Sequence, residues 1–183
     1  RRGHKFESCT AHTTRSMSGR GYSSRIQWQG KAWQLRVVDQ PLADGTVVEK
    51  GVIDHPGSVL IVPLDGEQVL MLRQYRLALD EWILELPAGT REKDEPWLDC
   101  ARRELREETG YQAADWTELG QVWPAPGLTN EQMAVYLARD LSPAPLPGDE
   151  DEEIEVRLMP LDELVAMALD GRMRDAKSVV GLL

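Results

Sequence analysis

The sequence predicts an α/β (α+β) fold, a layered domain of mixed strands with a few helices. Three observations support this class. Short β-like segments recur along the chain, Asp-Gly pairs separate two pairs of these segments, and one strongly amphipathic helix follows the fifth segment. A length of 183 residues suits one domain with a small appendage.

Composition excludes several classes of function. The formal net charge is −10, which disfavours nucleic acid as a partner because binding to a phosphate backbone requires clustered cations. No apolar run approaches the ~18–20 residues of a membrane span. Cys9 and Cys100 are the two cysteines and do not make a disulfide framework, so we expect a soluble protein in a reducing compartment, the cytoplasm.

Residues 1–25 differ from the rest of the chain. They carry six Arg or Lys residues against the single acid Glu7, with many Ser, Thr and Gly residues. This composition is typical of a disordered tail or of cloning-derived residues, and a transit peptide is the alternative.

A small β unit is expected over residues 26–57. Residues 32–38 and 46–54 are strand-like and are separated by the turn sequence LADGT. A sheet of this size is marginal alone, so it should pack on a partner surface.

The main domain is expected over residues 58–183. A second hairpin is predicted around Asp65-Gly66, and a helix is predicted from Pro96 to Gly110 with Asp94 or Glu95 as its cap. The remaining elements are predicted as strands at 82–86, 117–123, 132–138 and 154–159, and as helices from Asp162 and from Asp175.

Glu104, Glu107 and Glu108 lie at helical spacing beside the predicted apolar stripe of the first helix. Carboxylates at the edge of a buried face can hold a hard divalent cation. They can equally form a solvated acidic face with i,i+4 pairs such as Arg103 with Glu107. The spacing of the three glutamates alone leaves both interpretations open.

The residues around the three glutamates favour the metal site. The segment from Gly89 to Tyr111 resembles the Nudix box, GX5EX7REUXEEXGU. It consists of Gly89, five residues, Glu95, seven residues and then Arg103-Glu104-Leu105-Arg106-Glu107-Glu108-Thr109-Gly110-Tyr111. Tyr111 stands where a smaller aliphatic residue is usual. The resemblance extends from about residue 30 to the C-terminus and implies the Nudix fold, an α/β/α sandwich around a mixed sheet.

The resemblance also implies a function. Nudix enzymes hydrolyse nucleoside diphosphates linked to another group, with Mg²⁺ or Mn²⁺ bound by the glutamates of the box. The expected metal ligands are Glu104, Glu107, Glu108 and the Ala88 carbonyl. Glu95 and Arg103 are expected to brace loop against helix, Gly89 to allow a tight turn, and Gly110 to end the helix.

Sequences outside the box resemble the ADP-ribose pyrophosphatase branch. They are the stretches RQYR at 73–76, ELPAG at 85–89 and APGLTNE at 125–131, where Pro126 lies fifteen residues after Tyr111. The likeness implies that Arg76, and less surely Arg73, faces phosphate, since arginine presents a planar fork of donors. Glu85 and Leu128 join the expected substrate contacts. For the arginines, the alternative is a solvated strand end.

Two further roles are carried over from the same branch. The acidic loop 149–156 is expected to provide the group that activates water, with Glu150 as the best candidate and Glu152 or Glu153 next. Trp28 and Trp33 are candidates for stacking on the base, although packing is the alternative. The branch also implies a homodimer with exchanged N-terminal sheets.

The preferred hypothesis is Mg²⁺-dependent cleavage of ADP-ribose to AMP and ribose 5-phosphate. Other nucleoside diphosphate sugars, such as GDP-mannose or UDP-glucose, are the alternative substrates. A nucleotide sensor without activity is the remote alternative, and the complete box argues against it.

Overall fold

The computed structural model describes residues 21–148 and 153–183. This described part forms ten strands and three helices. The strands are β1 Ser24–Gln29, β2 Gln34–Pro41, β3 Val47–Asp54, β4 Ser58–Asp65, β5 Gln68–Arg76, β6 Glu81–Glu85, β7 Ala88–Thr90, β8 Tyr111–Val122, β9 Met133–Pro143 and β10 Ile154–Pro160; the helices are α1 Trp97–Thr109, α2 Leu161–Asp170 and α3 Ala176–Leu182.

The chain divides into two compact units. The first, unit 1, comprises the described residues up to His55 and the segment Ala125–Asn130. Its sheet has the order β1-β2-β3, all antiparallel, as the Asp44-Gly45 turn predicted. The segment at Ala125 was not predicted to join this unit, and it pairs with β3 through hydrogen bonds from Ile53 N to Leu128 O and from Asn130 N to Ile53 O.

Unit 2, Pro56–Pro124 with Glu131–Leu183, contains a mixed sheet. The strand order is β10-β5-β4-β9-β8, with β6 paired to β5 and β7 paired to β4. Strands β4 and β9 are parallel, and the other pairs are antiparallel. The predicted α/β class is therefore confirmed.

Alternate residues of β4 face two separate cores, as the two-residue period of a strand requires. One core joins β4 to α1, and the other joins it to α2 and α3. The α1 core comprises Val59, Ile61, Cys100, Ala101, Leu105, Ala134, Tyr136 and Ala138. The opposite core comprises Leu60, Val62, Val69, Met71, Leu86, Met133, Val135, Leu164, Met173 and Leu182. Helices thus cover both faces of the sheet.

Helix α1 ends where the sequence predicted and begins at Trp97, beside the predicted start near Pro96, but its cap differs. Gly110 is the C-cap, with the left-handed φ of 78° that glycine adopts without strain. The predicted cap at Asp94 or Glu95 is wrong, because the N-cap is Pro96 and makes no side-chain cap bond. The Glu95 carboxylate instead accepts hydrogen bonds from Glu92 N and from Arg103.

Strand β8 begins at Tyr111, six residues before the predicted start at residue 117. It lies at the edge of the sheet and is mostly exposed, so its first half carries no alternating apolar pattern. Residues 1–20 of the predicted tail, including Cys9, lie outside the described residues. The rest of the tail is described, and its last two residues, Ser24 and Arg25, belong to β1. None of the described helices is both long enough and apolar enough to cross a membrane.

Substitution at Gly57 tests the packing between the start of β4 and α1. Gly57 has a φ of 102°, and an added Cβ would lie 2.5 Å from the Trp97 ring and 3.2 Å from Gln132 O. Gly57→Ala should therefore lower the free energy of unfolding in urea by about 2–4 kcal/mol. Gly66→Ala is the control, because Gly66 has a φ of 60° with no atom within 4 Å of the added Cβ. Gly66→Ala should lower the free energy of unfolding by about 1 kcal/mol. Equal losses would contradict the described packing at Gly57.

Candidate active site

Helix α1 approaches the backbone at Gly89, in the short segment after β6 that is called the Ala88–Gly89 loop. A Cβ added to Gly89 would lie 1.8 Å from Cδ of Glu104, so the carboxyl group of Glu104 occupies the space that any side chain would need. The reason for this glycine differs from the tight turn that the sequence predicted. Gly89 lies in β7, paired with Val59, and has no left-handed φ. Glycine is required there by close approach.

Glu108 fixes the same loop from one helical turn further along. Its side chain is only 8% exposed, and its Oε2 accepts a hydrogen bond of 2.9 Å from Ala88 N. Burial of a carboxylate is costly unless it is hydrogen-bonded. The contact therefore places a glutamate of the helix against the backbone of the loop.

Arg103 is the cation of this site. Its Nε and Nη2 donate to the two oxygens of Glu95 at 2.9 and 3.0 Å. Its Nη1 donates to Glu104 and Glu107, at 2.8 Å in each case, and its Nη2 also reaches Thr90 O at 3.2 Å. One guanidinium thus pairs with three carboxylates and connects helix α1 to the loop that precedes it.

The pKa values reflect this network. The hydrogen bond from Arg103 holds the pKa of Glu95 below its ordinary value of 4.5. The hydrogen bond to Glu95 also raises the pKa of Arg103, so the guanidinium stays charged. Burial raises the pKa of the Cys100 thiol far above its usual range, so Cys100 remains an unreactive packing residue.

The donor set suits a divalent cation. Glu104, Glu107 and Glu108 offer hard oxygen ligands, and the first two already share one positive charge at Arg103 Nη1. The structure does not gather three acidic, His or Cys side chains around a single point in residues 21–148 and 153–183. The three carboxylates therefore fit a cation in their chemistry, but they do not converge on one point.

A second charged cluster lies at the end of β6. Glu85 is 1% exposed and accepts from Arg76 Nε at 2.6 Å and Arg76 Nη2 at 2.8 Å. Lys177 of α3 donates to Glu85 at 3.1 Å and to Asp175 at 2.6 Å. The predicted substrate contacts Arg76 and Glu85 are therefore partners of one another.

Arg73, the other predicted phosphate contact, lies against an aromatic ring. Its guanidinium carbon is 4.6 Å from the centroid of Trp82, and its Nη1 donates to Glu155 at 3.2 Å. Both contacts restrict the orientation of the guanidinium.

The remaining predicted residues lie in unit 1 or in the acidic loop. Trp28 and Trp33 of unit 1 pack on each other, with centroids 4.6 Å apart and planes at 44°, and Leu128 is exposed. Glu150 and Glu152 lie outside the described residues. Glu153 is exposed before β10, and its carbonyl accepts from Tyr75 N.

Sequence reasoning missed Lys177, Ser178 and Trp82. Each acts through a partner on another element, and Lys177 lies 92 positions from Glu85. Asp175 was recognised as the start of a helix, and no motif linked that helix to the site.

The chain is similar to known proteins over most of its length. The family model described as "NUDIX domain" matches residues 54–180. The ADP-ribose pyrophosphatase of Bacillus subtilis is 34% identical over 158 residues, covering 85% of each chain. The GDP-mannose pyrophosphatase of Klebsiella pneumoniae is 33% identical over 152 residues, covering 75% of this chain and 76% of the relative.

A solved structure shows the same fold. The crystal structure of an ADP compounds hydrolase superposes with a TM-score of 0.75 at 25% identity, covering 87% of this chain and 88% of the other. The similarity therefore includes most of both chains.

Removal of Arg103 tests its place at the centre of the network. Arg103→Met should lower the free energy of unfolding in urea by about 2 kcal/mol at pH 7, measured with EDTA, because three half-buried carboxylates lose their cation. Arg102→Met is the matched control, since Arg102 pairs with the exposed Asp99. It should lower the free energy of unfolding by less than about 0.5 kcal/mol.

The effect of pH follows from Glu95. Its folded-state pKa is lowered, so its contribution to stability is present above pH 4.5 and is lost as the pH falls through the lowered value. The difference in free energy of unfolding between Arg103→Met and the parent should become smaller as the pH is lowered through that range. Equal stability of the two Arg variants at pH 7 would contradict the assignment.

Proposed function

The chain belongs to the NUDIX family, and from this premise we propose that it hydrolyses the pyrophosphate bond of ADP-ribose to give AMP and ribose 5-phosphate. The matched family model and the relatives of similar length make it a hydrolase of this family. One observation carries the proposal for the reaction. The carboxylates of α1 are held at the Ala88–Gly89 loop by Arg103 and by Ala88 N, where a cation and a pyrophosphate could share the site.

The family requires a divalent cation, and we propose Mg²⁺ or Mn²⁺ with Glu104, Glu107, Glu108 and the Ala88 carbonyl as its ligands. When bound, the ion would neutralise the pyrophosphate and lower the pKa of a water molecule. The protein's own contribution is to hold the carboxylates. Glu108 is anchored by Ala88 N, and Arg103 keeps Glu104 and Glu107 on the same side of the helix.

Arg76 and Arg73 are proposed to bind the phosphates. The pairing of Arg76 with both oxygens of Glu85 fixes the plane of its guanidinium, and 35% of the Arg76 side chain remains exposed. Orientation of a charged donor before substrate binds lowers the entropy lost on binding. Glu85 therefore contributes by orienting Arg76.

A glutamate of the acidic loop is proposed as the group that accepts a proton from the attacking water. Glu150 is the first candidate, with Glu152 and Glu153 next. The support is the resemblance of residues 149–156 to the corresponding loop of the branch, together with the exposed position of Glu153.

Unit 1 is proposed to contribute the base-binding residues Trp28 and Trp33, with Leu128 as an apolar contact, and to exchange its sheet in a homodimer. Trp28 and Trp33 are both exposed. Among the described residues of unit 1, only Ser24 and Val38 are buried, and a small sheet with so little burial gains stability from a partner. A cytoplasmic location completes the proposal, because two cysteines do not provide a disulfide framework.

A second substrate class has a specific observation in its favour. The Klebsiella relative, named a GDP-mannose pyrophosphatase, is 33% identical, close to the 34% of the Bacillus ADP-ribose pyrophosphatase. GDP-mannose is therefore the alternative substrate, with UDP-glucose the other candidate of this class.

A substrate panel tests the proposal. We expect kcat/KM for ADP-ribose to exceed that for GDP-mannose and UDP-glucose by about tenfold or more, because a site that hydrogen-bonds one base rejects others. The products should be AMP and ribose 5-phosphate, and EDTA should abolish turnover until Mg²⁺ or Mn²⁺ is restored. A tenfold preference for GDP-mannose or UDP-glucose would contradict the proposed substrate, and turnover in EDTA would contradict the metal requirement.

A further inference from the structure

The first turn of α3 contains a closed set of polar contacts. Asp175 caps the helix, and its Oδ2 accepts from Ser178 N at 3.0 Å and from Ser178 Oγ at 2.7 Å. Its Oδ1 accepts from Lys177 Nζ at 2.6 Å. Asp175 thus orients two consecutive side chains of the helix.

These two side chains hold two consecutive residues of the chain at the end of β6. Lys177 Nζ donates to Glu85 at 3.1 Å, and Ser178 Oγ accepts from Leu86 N at 2.7 Å. Gly181 permits the close approach, because an added Cβ would lie 2.7 Å from the Leu86 side chain. Helix α3 is therefore fixed to the strand end that precedes the Ala88–Gly89 loop.

Glu85 lies between two cations in a nearly dry environment. Only 1% of it is exposed, and it pairs with Arg76 and Lys177. Burial lowers the pKa of Lys177, but Glu85 and Asp175 together outweigh burial and leave that pKa raised, so Lys177 is charged at neutral pH. A buried carboxylate that loses one of two cations is less well compensated and changes its position or its partners.

We propose that Lys177 is a positioning residue for substrate binding, which acts on Arg76 through Glu85. The inference rests on the proposed function, in which Arg76 contacts a phosphate of the substrate. Lys177 holds Glu85 in the orientation in which both of its oxygens accept from Arg76, so the Arg76 guanidinium has one preferred plane. Loss of Lys177 frees Glu85 to turn and broadens the orientations of Arg76.

Such a role affects substrate affinity and leaves the chemical step nearly unchanged, since Lys177 pairs with Glu85 and Asp175 and the carboxylates of α1 are held by Arg103 and Ala88 N. In Lys177→Met, KM for ADP-ribose and the Kd of its α,β-methylene analogue should rise about five- to tenfold, with kcat within about twofold of the parent. Measurements are made well below the unfolding temperature of each variant, so that every sample is folded.

Arg174→Met is the matched control. Arg174 also links the α3 region to β6, through an exposed pair with Glu81 at 2.9 Å, and its removal takes away one positive charge without touching Glu85. KM and Kd should remain within about twofold of the parent. Equal increases in Lys177→Met and Arg174→Met would overturn the inference, because the effect would then be one of general charge or stability.

A double-mutant cycle with Arg76→Met separates the inference from its premise. Arg76→Met should raise KM, and Lys177→Met should add nothing in that background. Additive effects would overturn the proposed path through Arg76. An unchanged KM in Arg76→Met would contradict the phosphate role of Arg76 and with it the inference. If the parent cleaved another nucleotide sugar in preference, the proposed substrate would fail, and the same cycle with that compound would still decide the role of Lys177.

Discussion

The placement of one guanidinium among three half-buried carboxylates is the constraint on which the site depends. Carboxylates at the edge of a buried helix face repel one another and lose solvation. Arg103 offsets both costs by donating to Glu95, Glu104 and Glu107 at 2.8–3.0 Å. Because Glu95 precedes α1 and the other two acids lie on it, the same ion pairs fix the loop to the helix. Without this cation, repulsion among the carboxylates would favour several arrangements of their side chains.

The segment Leu86–Ala88 is held by contacts with helices on both faces of the sheet. Ala88 N donates to Glu108 of α1, and Leu86 N donates to Ser178 of α3. The residue between them is Pro87, which has no N–H to satisfy, and its carbonyl accepts from Ile61 N. The backbone that presents Ala88 and Gly89 is thus tied to two helices and to the central strand. This arrangement explains how a short loop keeps a defined position without extensive burial of its own.

Local signals explain which features the sequence predicted correctly. Gly110 and the spacing from Gly89 located the helix and its acids, and the Asp65-Gly66 turn located the β4–β5 hairpin. The cap of α1 was predicted wrongly, because the Glu95 carboxylate accepts from Arg103 and the N-cap is Pro96. The first half of β8 was missed because an exposed edge strand has no apolar period. The link from Lys177 to Glu85 depends on a contact between positions 92 residues apart, which periodicity and turn chemistry do not encode.

The proposed metal site at the Ala88–Gly89 loop depends on the glutamates of α1. The most direct measurement is Mn²⁺ binding, followed by electron paramagnetic resonance of the free ion, in the parent and in Glu108→Gln. Glu163→Gln, an exposed acid on α2, is the control. Loss of one carboxylate ligand should weaken Mn²⁺ binding by about tenfold or more in Glu108→Gln, and leave it unchanged in Glu163→Gln. Equal Mn²⁺ affinity in all three proteins would contradict the account.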